Sequence, residues 1–145
     1  MLPHYTYRIK KRRVPITGVR TPTAARDAEE LSGIVRGFQA SAIEERFARA
    51  LERRNIDYYF RYALGNRGLP GWRELDFLVI WFGYRPFEIE DISFIHRGTQ
   101  AEDAWKDAQT MDFLKQYNPY PVQHVNNTQL YDQDAADATV RRLLG

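Results

Sequence analysis

ELDFLVIWF (residues 74–82) and, four residues on, FEIEDISFIH (87–96) are the stretches on which the fold turns. The first is apolar on nearly both faces of an extended strand, which marks a central position in a sheet. The second alternates. Successive strand side chains point to opposite faces, so Glu88 and Glu90 share a face and Ile89 takes the other. Two carboxylates that close repel, and half-buried ones are costly unless something compensates them. A divalent metal is one compensator; a solvent-facing edge would need none. Asp76, inside LDFLVI, poses the same problem, with a metal or one of Arg73, Arg85 and Arg97 as its partner.

Outward from these strands the pattern is regular. SAIEERFARALERRN (41–55) reads as a helix, with Ser41 as N-cap and Ile43, Phe47, Ala50 and Leu51 as its apolar stripe. DYYFRYAL (57–64) reads as a strand and NRGLPG (66–71) as a turn. The strand at 87–94 is followed by a helix over 101–117, with Trp105, Ala108, Met111 (or Asp112) and Leu114 along one side. PVQHVNN (121–127) is a fourth strand and DAADATVRRLL (134–144) a closing helix. Ahead of these, residues 24–38 read as a short helix broken at Gly33 and Gly37. The expected class is α/β, a mixed four-stranded sheet in αβββαβα order flanked by helices.

Composition bounds the function. A chain of 145 residues, 43% hydrophobic and 14% aromatic, fits one globular domain. It has no cysteine, which removes disulfides, zinc–thiolate sites and thiol catalysis. No apolar run approaches the ~18 residues of a membrane span, and no signal-peptide apolar core opens the chain. The expectation is a soluble protein inside a cell, or one packaged in a particle made there. The net charge of +2 hides an asymmetry: residues 1–26 carry Arg8, Lys10, Lys11, Arg12, Arg13, Arg20 and Arg26 and no acid. The other 14 basic and 19 acidic residues leave residues 27–145 at −5. Pro3, Pro15, Gly18 and Pro22 favour an extended path here. Residues 1–40 thus read as a basic arm suited to nucleic-acid phosphates, or simply a solubilising terminus, and 41–145 as the core.

The order of elements, with acids on the first helix (Glu44), the second strand (Asp76) and the third strand (Glu88, Glu90), resembles the PD-(D/E)XK, or restriction-endonuclease-like, nuclease superfamily. It is most similar to the very-short-patch-repair-like branch. There an acid-x-acid is followed by a histidine and then a helix bearing Asp, places taken here by His96 and by Asp103 or Asp107. The resemblance covers roughly residues 41 to 144. It implies a metal-dependent DNA endonuclease, with Asp76, Glu88 and Glu44 as ligands of Mg²⁺ (or Mn²⁺). Glu90 and His96 join them as catalytic candidates, and Arg8, Lys10, Lys11, Arg12 and Arg13 would hold DNA. The substrate class is branched, mismatched or nicked DNA, and the setting a nucleoid-associated cytoplasmic protein or a phage particle. A homodimer or larger assembly is compatible with it. Phosphodiester hydrolysis needs an activated water and relief of developing charge, and a hard cation on carboxylates can supply both.

The chain departs from the pattern at Glu90, where the family has a lysine. Three repairs are open: His96 as acid or base, Lys106 reaching in from the next helix, or a second metal. A fourth outcome is a nuclease fold without cleavage, used for DNA binding or assembly. Other residues also have ordinary readings. Glu44 stands three after Ser41, a capping box that coexists with a metal role. DYYFRYAL reads as a packed strand, with base stacking as the alternative. His4 and His124 read as structural.

Overall fold

The computed structural model describes residues 30–92 and 100–145. The basic arm (Arg8, Lys10, Lys11, Arg12, Arg13, Arg20, Arg26) and His96 lie outside the described residues, as do His4 and Arg97.

The first described elements correct an expectation. Gly33 and Gly37 do not break a helix over residues 30–38. Residues 34–39 form a hairpin of β1 (Ile34–Val35) and β2 (Phe38–Gln39), pairing Ile34 with Gln39 and Val35 with Phe38. Arg36 and Gly37 make its two-residue turn, both at positive φ (50° and 86°). This turn matches the right-handed twist of paired strands, and a glycine adopts it without steric cost. Glu45 ties the hairpin down. Its buried carboxylate accepts hydrogen bonds from Ser32 N (3.0 Å), Ser32 Oγ (2.9 Å) and Gly33 N (2.8 Å), and pairs with Arg49 at 3.1 Å.

From there the elements follow the expected order. α1 (Ala42–Arg53) starts at Ser41, whose Oγ accepts from Glu44 N–H while Glu44 Oε1 accepts from Ser41 N–H at 2.8 Å. β3 (Asp57–Leu64), β4 (Arg73–Ile80) and β5 (Tyr84–Glu90) form antiparallel neighbours. α2 (Gln100–Leu114) and a 3₁₀ turn (Lys115–Tyr117) carry the chain to β6 (Gln123–Asn126), which pairs parallel with β5. Parallel neighbours need such a crossover, and a helix supplies it. α3 (Gln133–Leu144), capped by Asp132 through Ala135 N–H, packs along α1. The result is an α/β protein whose four-stranded mixed sheet, ordered β3-β4-β5-β6, is flanked by helices. No helix among the described residues is long and apolar enough to cross a membrane.

Two apolar clusters sandwich the sheet. Against α1 and α3 lie Tyr58, Phe60, Phe77, Val79, Phe87 and Val125, with the Phe47 ring 4.9 Å from Phe77 and 5.3 Å from Phe87. Against Leu114 of α2 lie Leu64, Leu75 and Leu78, with Tyr59, Tyr62, Tyr84 and Tyr117 around them. β4 is therefore covered on both sides, as its composition implies. The stripe expected on α2 is corrected: Trp105 is 64% exposed and Ala108 is exposed, whereas Thr110 and Leu114 are buried. α2 touches the sheet chiefly through its second half.

Alternation along β3 and β4 slips at one point. Tyr58 and Phe60 face α1, but Tyr62 and Leu64 face α2; on β4, Phe77 and Val79 face α1 while Leu75 and Leu78 face α2. The ladder pairs Phe60 with Phe77 and Tyr62 with Leu75, skipping Arg61 and Asp76 between them. Arg61 sits at φ +55°, which absorbs the turn. This kink positions the site.

Candidate active site

Asp76 is placed by that slip. The β4–β5 ladder runs from Ile80↔Tyr84 to Phe77↔Phe87 and stops there, although both strands continue. Beyond it β4 pairs with β3, and β5 pairs with β6. Asp76 and Glu88 are the first residues past the parting. Asp76 Oδ2 accepts the Ile89 N–H at 2.8 Å, standing in for the missing backbone acceptor. A carboxylate thus takes a structural hydrogen bond and stays beside Glu88.

Their electrostatics follow from this placement. Burial, then the Asp76 charge and a hydrogen bond between the two, push the Glu88 carboxyl up to about 8. Burial also raises Asp76; the Ile89 N–H opposes the rise and the Glu44 charge adds to it. Like charges this close resist ionising together, which favours retention of a proton at the pair. Arg73 offers partial relief. Its Nη1 stands 3.6 Å from Glu88 Oε2, too far for a hydrogen bond, while Nη2 donates to the Lys106 carbonyl at 2.8 Å and to Thr110 Oγ1. The guanidinium therefore fastens α2 to β4 as well as facing Glu88.

A cavity of ≈ 480 Å³ opens beside Glu88, lined by Arg73, Glu74, Glu88, Glu90, Asp103, Lys106, Asp107 and His124. Glu74 is already satisfied by Arg61 (2.8 Å) and Arg67 (2.5 Å). Burial alone would raise its carboxyl, but these two arginines outweigh it and hold it below the usual range. On the opposite wall α2 presents Asp103, Lys106 and Asp107. Residues three and four apart share a helix face, which accounts for the set.

The sequence-derived candidates divide accordingly. Asp76 and Glu88 are brought together. Glu90 shares the face with Glu88 as expected, and lines the cavity. Glu44 is held in its capping box and reaches Asp76 through its charge. Lys106 lines the cavity, as do both Asp103 and Asp107. Arg73 faces Glu88 at 3.6 Å, and Arg85 donates to the Trp81 carbonyl at 2.7 Å instead. His124, read as structural, lies in the cavity wall between Glu90 and Asp107. Its signal was the parallel register that sets His124 beside Glu88, which only the folded sheet displays.

No group of three or more Asp, Glu or His side chains poised to hold a metal exists among the described residues. Asp76 and Glu88 nonetheless offer paired hard oxygens with an unmet need for positive charge. Mg²⁺ suits such a pair, because it is commonly held by one or two carboxylates and completes its shell with waters and phosphate oxygens. Neither a protein-family model, nor a curated protein, nor a solved structure matches the chain.

Proposed function

We propose that this chain is a metal-dependent DNA endonuclease with a restriction-endonuclease-like core. The observation that carries the reading is the half-buried Asp76–Glu88 pair, set where β4 and β5 part, with Glu88 lining a cavity across which α2 presents Lys106. Asp76 and Glu88 would give up the proton retained at the pair and hold Mg²⁺ or Mn²⁺. That ion supplies Lewis-acid activation of water and charge neutralisation at the phosphate. Lys106, on the cavity wall, faces the approaching phosphodiester, and Arg73 keeps α2 at the distance that leaves the cavity open. The basic arm, Arg8 to Arg13, would contact flanking phosphates.

A second reading has its own support. Glu90 stands where the family's lysine is expected and is bound to His124 at 2.5 Å, so it brings no cation to the pair. On that reading the chain is a nuclease fold without cleavage, serving as a DNA-binding or assembly component, for example in a phage particle. Supercoiled plasmid and a branched junction, incubated with Mg²⁺, Mn²⁺ or EDTA, separate the two. Metal-dependent nicking that Asp76→Asn abolishes supports the enzyme. DNA binding without cleavage supports the second reading.

A further inference from the structure

Neutral imidazole carries one N–H and one lone pair. A ring with carboxylate oxygens at both nitrogens cannot satisfy both in that form, since one contact would set lone pair against lone pair. His124 meets this condition. Its Nδ1 is 2.5 Å from Glu90 Oε2 and its Nε2 is 2.8 Å from Asp107 Oδ2. The three residues come from three elements: Glu90 from β5, His124 from β6 and Asp107 from α2. The ring therefore closes a bridge along the cavity wall, joining α2 to the sheet at the end where its residues are otherwise exposed. The carboxylates lie on different nitrogens, an arrangement that suits a ring donating from both.

We infer that His124 is a positioning residue of the site: bridging Glu90 to Asp107, it fixes the Glu90 carboxylate beside the Asp76–Glu88 pair and holds α2 over the cavity. The bridge itself stands on geometry; its consequence for cleavage rests on the endonuclease reading. The position matters because Glu90 replaces a lysine. Left alone, Glu90 would add a third acid beside two half-buried carboxyls that burial already pushes up. Bridged by a cationic His124, Glu90 and Asp107 together carry a net charge of −1 instead of −2. The other charged groups lining the cavity around the bridge are Glu88 from β5, Arg73 and Glu74 from β4, and Asp103 and Lys106 from α2. Burial alone would lower the imidazole's pKa, but the hydrogen bonds to Asp107 and Glu90 outweigh it and raise it.

The test compares two full-chain variants. His124→Gln keeps hydrogen-bonding atoms and removes the charge; His124→Lys keeps the charge and removes the ring. The side chain is about one-third exposed (34%), so both variants should fold. The readouts are ring-nitrogen NMR of the wild type at pH 7, amide exchange in α2, and kcat and KM for DNA cleavage with Mn²⁺. Expected are two protonated ring nitrogens, a roughly 10–100-fold loss of kcat/KM in His124→Gln, the size found for residues supporting metal ligands, and faster exchange in α2. His124→Lys should recover most of both. A ring with one protonated nitrogen at pH 7, or a lysine variant as impaired as the glutamine variant, overturns the inference. If wild-type protein cleaves no DNA with any metal, the endonuclease reading fails, and ring spectra and α2 exchange still decide the bridge.

Discussion

Asp76 and Glu88 face each other at the point where β4 and β5 cease to pair, and Asp76 is held there by the Ile89 amide. The fold thus presses two acids together, and burial with their mutual repulsion raises both carboxyls. Such a site gains by taking up positive charge, which links its stability to pH.

The pH dependence has a definite sign. Glu88 rises from 4.5 in the unfolded chain to about 8 in the fold, so the folded state keeps a proton that the unfolded state releases. Stability from this group is therefore fullest below about pH 4.5 and is lost as pH climbs toward 8. Each pKa unit is worth about 1.4 kcal/mol, so the change amounts to a few kcal/mol. Thermal melts of metal-free protein should show Tm falling between pH 5 and pH 8, and Asp76→Asn should flatten the fall. Saturating Mg²⁺ should raise Tm more at pH 8 than at pH 5. A Tm that rises across this range would contradict the pairing.

Arg73 fastens α2 through Thr110 and the Lys106 carbonyl. Arg73→Ala leaves those acceptors and Glu88 without the guanidinium, at a cost of about 1–3 kcal/mol. Urea denaturation should report this loss, with amide exchange in α2 quickened more than in α1. Equal quickening in both helices would place the effect elsewhere.

Core and surface aromatics should separate cleanly. Phe47, fully buried between Phe77 and Phe87, should cost about 3–5 kcal/mol as alanine. Trp105→Ala, at an exposed position, should stay within about 0.5 kcal/mol of wild type. Chemical denaturation of the two variants side by side checks the placement of α2.

Removing residues 1–26 deletes seven basic residues. DNA affinity should fall, and the slope of log K against log salt should flatten by about 0.9 for each phosphate that the arm neutralises. An unchanged slope in a filter-binding or anisotropy titration would show that the arm does not touch DNA.

From residue 41 onward the element order was legible because its periods are long and clean. DYYFRYAL coincides with β3, and the Ser41–Glu44 box marks the start of α1. The hairpin at 34–39 was not legible: strands of two residues carry no period, and the Arg36–Gly37 turn looked like a helix break. Trp105 misled because α2 is only weakly amphipathic and rests on Thr110 and Leu114. At the site, Asp76 announced itself as an acid in an apolar strand. His124 did not, since its meaning depends on a parallel register reached through a crossover of more than thirty residues. Local pattern shows which acids need partners; only the assembled sheet shows who the partners are.

The most direct test of the central claim is nicking of supercoiled plasmid by wild-type protein and Asp76→Asn, each with Mn²⁺ and with EDTA. Nicking by the wild type with Mn²⁺ alone, abolished in the folded variant, is the expected result. Nicking that survives in Asp76→Asn, or that persists in EDTA, would contradict a metal site built on Asp76 and Glu88.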